Sequence, residues 1–239
     1  MDCVTSTLDE AAQRAAQSAL PTWFTARVQT KSRGRRGRAW VAPEGNFYAS
    51  LSLPELDPAR AALRSFVSAL ALRDALAAVC KRADISLTLK WPNDVLLNDG
   101  KVAGILLESL SGPKGPWGVA IGIGVNLVAA PDAALVEPEA LRPVSVRGEA
   151  GVSISAQDFL PHLAEAFARR EAQFNRQGFA AIRTAWLAHA AKRGEQIRVR
   201  LPNKTLDGLF KDIDPQGQLI LATPAGDVAI AAGDVFFGE

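Results

Sequence analysis

Along this chain the spacing of hydrophobic and polar positions switches between a period of two and a helical period, and the switches mark its elements. Thr5-Ser6-Thr7-Leu8-Asp9-Glu10 opens a helix, with Ser6 or Thr7 as cap and acidic residues in the first turn. Alanines carry it to about Leu20, and Pro21 stops it. Trp23–Gln29 reads as a buried strand. Asn46–Leu53 alternates: Phe47, Ala49, Leu51 and Leu53 share one face, Tyr48, Ser50 and Ser52 the other, as in a half-buried antiparallel strand. From Asp57 to Lys81 the period is helical, with Leu63, Phe66, Val67, Leu70, Leu76 and Val79 facing a core. Cys80, at its end, is expected to be a small core residue.

Ile85–Lys90 alternates again, then Trp91-Pro92-Asn93-Asp94 turns the chain into Val95–Leu97. Asn98-Asp99-Gly100 is a hairpin signal leading into a strand over Lys101–Leu110. A Gly/Pro loop, Ser111–Pro116, precedes a further strand, Trp117–Leu127. Successive hairpins of this kind predict an α+β domain: a mixed, mostly antiparallel sheet with helices on one side. Val128–Val152 shows no strong period and reads as a long loop. Ser155-Ala-Gln-Asp158 caps the first of two helices, Ala156–Arg176 and Phe179–Ala191. After Lys192 the pattern becomes short strands with turns at Pro202-Asn203-Lys204, Asp214–Gly217 and Pro224–Asp227. Val199, Leu201, Leu209, Ile213, Leu219, Leu221 and Ile230 supply a small core there. The expected organisation is a first domain over 1–192 and a five-stranded SH3-like barrel over 193–239.

Composition narrows the function classes. The chain has 239 residues, 48% of them hydrophobic, with a net charge of +2, so a packed core is expected and a global attraction to nucleic acid or membrane is not. Cys3 and Cys80 suggest no disulfide framework, and His162 and His189 form no metal-ligand spacing with them. Asp2, Asp9 and Glu10 stand where a secretory signal needs a basic start and an apolar core. Trp117–Pro131, the longest uncharged run, is too short to span a bilayer. These features predict a cytoplasmic protein with reduced thiols.

The positive charge is concentrated in one place. Between Arg27 and Arg38 lie six basic residues and no acidic one, broken by Gly34 and Gly37. Glycine permits positive φ and close backbone approach, and arginine forks match phosphate. A phosphate loop, an Arg/Gly segment for RNA and a solvated basic loop all fit this stretch taken alone. Lys90 and Lys101 flank one hairpin and can point into the same space, with Asp94 near enough to pair with one of them. Gly104, Gly122 and Gly124 lie within strands, where glycine marks a bulge, tight packing or a ligand's approach.

Four stretches occurring in order carry a resemblance: Gln29–Arg38 with Trp40, Lys90-Trp-Pro-Asn-Asp94, Lys101-Val-Ala-Gly-Ile105 and Gly122-Ile-Gly-Val-Asn126. The chain resembles the biotin protein ligases, and with its small C-terminal barrel the resemblance covers nearly its whole length. It implies the class II synthetase-like biotin/lipoate ligase fold. The implied reaction is ATP-dependent formation of biotinyl-5′-AMP, then transfer of biotin to a lysine of a biotin carboxyl carrier domain of a carboxylase. Mg2+ is expected to travel with the nucleotide rather than in a protein metal site. The resemblance implies that Ser6, Thr7, Gln29, Arg33, Gly34, Arg35 and Lys101 bind biotin. Arg33, Arg36, Arg38, Trp40, Lys90, Asn93 and Asn126 are the implied ATP and phosphate ligands. Lys101, Arg35 and Asp94 are the implied catalytic residues, and Val128–Leu141 an implied cover over adenine. Ser32 and Leu8 depart from the family pattern, which has glycine and asparagine there. The short segment before Ser6 predicts a ligase without repressor activity on DNA, and a sheet edge could pair two copies. The sister chemistry is lipoate or octanoate transfer; the reading from another class is a nucleic-acid-binding module that uses the Arg/Gly loop.

Overall fold

The structure is a computed structural model that describes all residues except 16–19, 42, 56, 82, 83, 113, 114, 133, 135, 138, 238 and 239. Strand β1 (Cys3–Val4) leads to helix α1 (Thr7–Arg14), where Ser6 is the cap: its Oγ accepts from the Leu8 N–H at 3.2 Å. The expected run of α1 toward Leu20 passes through 16–19, outside the described residues. The single buried strand expected over Trp23–Gln29 is instead two short ones, β2 (Thr22–Ala26) and β3 (Val28–Gln29). They part at Arg27, whose exposed side chain pairs with Glu44. β2 is only half-buried because it is an outer strand with β4 as its sole sheet neighbour, while β3 pairs in parallel with β1.

Strand β4 (Phe47–Pro54) precedes helix α2 (Pro58–Cys80), which starts at the Asp57 cap with proline at its first position and ends at Lys81 in the left-handed region. Strands β5 (Leu87–Lys90), β6 (Asp94–Leu97), β7 (Gly100–Gly112) and β8 (Gly115–Val125) follow as antiparallel neighbours. Asn98 (φ 47°) and Asp99 (φ 62°) form the two-residue turn between β6 and β7, as the Asn-Asp-Gly signal predicts. The stretch expected to be plain loop contains a short helix, α3 (Val146–Ala150), capped by Ser145. The two expected late helices are both present within α4 (Ala156–Leu187) and meet at a kink at Gly178, with φ 72° and ψ −176°.

The main sheet has the order β2-β4-β8-β7-β6-β5, and every neighbouring pair is antiparallel. Helices α2 and α4 cover one face, where Leu70, Leu76, Phe159, Phe174 and Trp186 are buried. Burial of each such side chain contributes about 1.5–3 kcal/mol. Contrary to the one-sided expectation, α1 lies on the other face, packing Leu8 and Ala11 against Leu110 and Ala120. This corrects the reading of β4 as half-buried. Tyr48, Ser50 and Ser52 are as buried as Phe47 and Leu51, and polar there because they find partners rather than water. Tyr48 donates to the Pro43 carbonyl at 2.7 Å, and Ser50 donates to Thr7 Oγ1 at 2.8 Å.

Strands β9 (Gln196–Arg200), β10 (Thr205–Ile213), β11 (Leu219–Thr223), β12 (Gly226–Ile230) and β13 (Asp234–Phe237) form a second antiparallel sheet, ordered β12-β11-β10-β9-β13. Its outer strands do not pair, so among the described residues the SH3-like barrel stays open. A register shift between Phe210 and Asp212 turns Phe210 into the core in place of the expected Leu209, which is half-buried. This sheet shares a core with the first part of the chain: Phe210 meets Trp186 edge-on at 6.5 Å, and Trp91 Nε1 donates to the Gly217 carbonyl at 3.1 Å. No described helix is long and apolar enough to cross a membrane.

Candidate active site

A cavity of about 420 Å³ lies on the α1 side of the main sheet, between α1, the Arg/Gly loop, the β5–β6 hairpin and β13. Its floor is made of glycines. A Cβ on Gly122 would stand 2.9 Å from the Leu8 side chain, and one on Gly124 would stand 2.9 Å from Trp40 Nε1. Trp40 also lies over Gly104. These glycines let two large side chains rest flat on the strands, which leaves room for a ligand above. Leu8 thus belongs to an apolar cluster on the sheet, and that environment accommodates the departure from asparagine.

One end of the cavity is neutral and polar. Gln29 Oε1 accepts from the Thr7 N–H at 2.8 Å and from Thr7 Oγ1 at 3.2 Å. Ser6, Thr7 and Gln29 are therefore together, as the sequence predicts, although Ser6 also serves as a helix cap. Ser50 completes this group through Thr7, and sequence reasoning missed it. Its only signal was a serine on the polar face of β4.

The opposite end is charged. The β5–β6 register places Lys90 across from Asp94, and Lys101 enters from β7. Lys101 Nζ is 2.7 Å from Asp94 Oδ1, whereas Lys90 Nζ is 3.9 Å from Asp94 Oδ2. Burial holds the Lys90 pKa below the usual lysine value, against the pull of Asp94 and with the push of Lys101. Lys101 Nζ lies 5.4 Å from the Trp40 ring, and Lys90 Nζ 5.7 Å from that of Phe237. Asn93 and Asn126 also line the cavity, but their amides brace backbone: Asn93 donates to the Ile105 carbonyl at 2.7 Å and Asn126 to that of Val144 at 3.0 Å.

The Arg/Gly loop is a narrow hairpin. The Trp40 N–H donates to the Ser32 carbonyl at 3.2 Å, Ser32 Oγ donates to the Trp40 carbonyl, and the Gly34 N–H donates to the Arg38 carbonyl at 2.8 Å. Ser32 thus closes the base of the loop, and Gly34 has ordinary extended φ; the positive values fall at Arg36 (57°) and Gly37 (72°). The loop's arginines do not all point at the cavity. Arg33 is held between Asp9 at 2.9 Å and Glu108 at 2.8 Å, and its hydrogen bond to Glu108 raises its pKa. Arg36 and Arg38 reach Asp234, while Arg35, its pKa lowered by burial, donates to the Gly233 carbonyl at 3.2 Å. Glu108 and Asp234 had no sequence signal, because each is an isolated acidic residue far along the chain. Of the expected cover, Val136, Ala140 and Leu141 line the cavity, while 133, 135 and 138 are outside the described residues.

Comparison with known proteins adds to this geometry. Residues 2–126 match the model of the Biotin/lipoate A/B protein ligase family, and 193–238 that of the Biotin protein ligase C terminal domain. The chain is 53% identical over 234 residues to the biotin–[acetyl-CoA-carboxylase] ligase of Paracoccus denitrificans, covering 98% of this chain and 97% of that one. It is 31% identical over 241 residues to the bifunctional ligase/repressor BirA of Bacillus subtilis (strain 168), covering 98% and 72%. The biotin protein ligase from Aquifex aeolicus, solved in complex with biotin and ATP, has the same fold: TM-score 0.82 at 23% identity over 98% of this chain and 95% of that one.

Proposed function

The chain belongs to the biotin/lipoate A/B protein ligase family, and from that membership we propose that it is an ATP-dependent biotin–protein ligase acting on a biotin carboxyl carrier domain. The observation that carries this is the polarity of one cavity: neutral hydrogen-bonding groups at one end, Lys90, Asp94 and Lys101 at the other, and an apolar floor between them. A ligand with a ureido head, an apolar middle and a terminal carboxylate matches that order. Ser6, Thr7 and Gln29 take the ring system, and the Arg33–Gly34–Arg35 backbone closes beside it.

In the first step a biotin carboxylate oxygen bonds to the α-phosphorus of ATP and the bond to the β-phosphate oxygen breaks, releasing pyrophosphate. Two anions must meet, so fixed cations are needed. Lys101, held by Asp94 at 2.7 Å, stands where carboxylate and α-phosphate come together. Lys90, Arg35 and Arg38 line the cavity beside the remaining phosphates while Arg36 is held on Asp234, Trp40 and Asn126 flank the adenosine, and Asn93 keeps the β5–β6 hairpin in place. In the second step the amine of a carrier lysine attacks the carbonyl of the mixed anhydride, losing a proton and expelling AMP. Asp94 and Asp234, which line the cavity, are engaged by cations. The residues thus fit Mg2+ carried on the nucleotide phosphates, where it would neutralise part of their charge. ATP and a carboxylase carrier domain as substrates support a cytoplasmic setting.

The polar end favours biotin over lipoate or octanoate, whose apolar tails would offer Thr7 and Gln29 no ligand partner. The test is pyrophosphate release with Mg-ATP and each acid in parallel, followed by addition of a carrier domain. Biotin-dependent release and labelling of one carrier lysine are expected; turnover with lipoate or octanoate but not biotin would sink the reading.

Lys90 adds a pH signature. Its pKa is lowered in the free protein, and phosphate anions favour its charged form, so nucleotide binding takes up protons between that lowered value and the value in the complex. ATP affinity therefore falls as pH rises through the free-protein value. Calorimetry of ATP binding in two buffers of different ionisation enthalpy measures the uptake, and its absence from Lys90→Met assigns it.

A further inference from the structure

The second sheet enters the active site along β13, whose residues Asp234–Phe237 line the cavity. Asp234, the first residue of β13, is 8% exposed, yet its carboxylate turns away from its own sheet. It accepts from Arg36 Nη1 at 2.8 Å and from Arg38 at 2.6 Å (Nη2) and 3.3 Å (Nη1). The carbonyl of adjacent Gly233 accepts from Arg35 Nη1 at 3.2 Å. Three loop arginines therefore end on two neighbouring residues lying 196 to 198 positions further along the chain. Within its own sheet the nearest cation to Asp234 is Arg200, at 4.0 Å, which is engaged by Glu137 and Glu139. Glu137 also pairs with Arg38 at 3.0 Å. The opposite shoulder of the loop is held by Arg33 on Asp9 and Glu108. Between these two anchors the loop spans the mouth of the cavity.

We propose that Asp234 is a positioning residue that latches the arginine loop over the active site and keeps the activated intermediate away from water. This deepens the ligase reading and rests on it. The mixed anhydride has two fates: attack by the carrier amine gives the amide and AMP, and attack by water gives the free acid and AMP. Only closure of the site separates them. Charge-assisted hydrogen bonds in a partly dry setting are the stronger kind, and a carboxylate that gathers two guanidinium groups fixes the loop where neutral contacts would not. Burial alone would raise the Asp234 pKa, but Arg38 and its neighbours hold it below the usual range, so the latch stays charged.

The test compares Asp234→Asn and Asp234→Glu in the full chain, with two readouts. Trypsin cleavage within Lys31–Arg38, with no ligand present, is expected to be about 10-fold faster in Asp234→Asn and near the unsubstituted rate in Asp234→Glu. With Mg-ATP, biotin and a carrier domain, AMP formed per carrier biotinylated is expected to rise about 5-fold in Asp234→Asn, with label appearing on bystander albumin, and to be restored by Asp234→Glu. Thermal unfolding of each variant guards against general loss of structure; should Asp234→Asn unfold, Arg36→Gln removes one of the two guanidinium contacts from the loop side and is read by cleavage after Lys31, Arg33, Arg35 and Arg38, the sites it leaves intact. Unchanged cleavage, or AMP still matched one to one with carrier labelling, overturns the proposal. If the unsubstituted chain forms no AMP with biotin, the ligase reading fails, and the cleavage assay still decides whether Asp234 holds the loop.

Discussion

Lys101→Ala is expected to lower the rate of biotinyl-adenylate formation by about 10²–10³-fold, the range found when one preorganised charge or donor is removed from a developing transition state. Lys101 is the cation nearest Asp94, at 2.7 Å against 3.9 Å for Lys90, and with Lys90 it forms the charged end of the cavity. The loss should fall on the chemical step, because Ser6, Thr7 and Gln29, proposed above to hold the other end of the acid, keep their own contacts. Single-turnover pyrophosphate release, with biotin binding measured separately, makes that division. A rate within threefold of the unsubstituted chain would remove Lys101 from the mechanism.

Arg64→Ala is expected to destabilise the fold by about 3–5 kcal/mol, as when one partner of a buried ionic group is deleted. Arg64 lies between α2 and α4 with a side chain only 5% exposed, and it reaches Glu55 at 2.7 Å and Glu171 at 2.8 Å. Its guanidinium also lies 5.5 Å from the Phe174 ring. Truncation leaves Glu171 without this cation and Glu55 with Arg60 alone, at 3.1 Å, both beside the space the guanidinium filled. Burial alone would raise the Glu55 pKa, and the Arg64 hydrogen bond helps pull it below the usual range. Glu55 therefore contributes stability that is present above its unfolded pKa and lost as pH falls through its folded one. In Arg64→Ala much of that contribution disappears. Urea unfolding at neutral and acidic pH reads both effects; an unchanged midpoint at neutral pH would contradict them.

Much of the site was legible before the fold was known. Lys90, Asp94 and Lys101 lie on two successive hairpins, turned at Trp91-Pro92-Asn93 and at Asn98-Asp99, so local geometry alone brings them close. Ser6, Thr7 and Gln29 came from the family resemblance, and the β1–β3 pairing joins their segments. The faces of β4 were harder to read. Period two separates its two sides correctly but does not say whether water or a helix covers the polar one. The serines of β4 read as solvent-facing and prove to be partners of Thr7 and of the Thr22 carbonyl.

What the sequence by itself determined here is local and periodic: caps at Ser6 or Thr7 and at Ser155, the strand and helix periods, the hairpin turn, and motif order sufficient to indicate the family. These are set by neighbours a few residues away, and short-range sterics and hydrogen bonds leave a readable pattern. Only the tertiary structure decided which charges meet. Arg33 with Glu108, and Arg36 and Arg38 with Asp234, join residues 75 to 198 positions apart. A single acidic side chain on a strand has no period and no motif. It acquires a partner only where packing of the two sheets and α1 brings a guanidinium within reach and excludes enough water for the pair to matter.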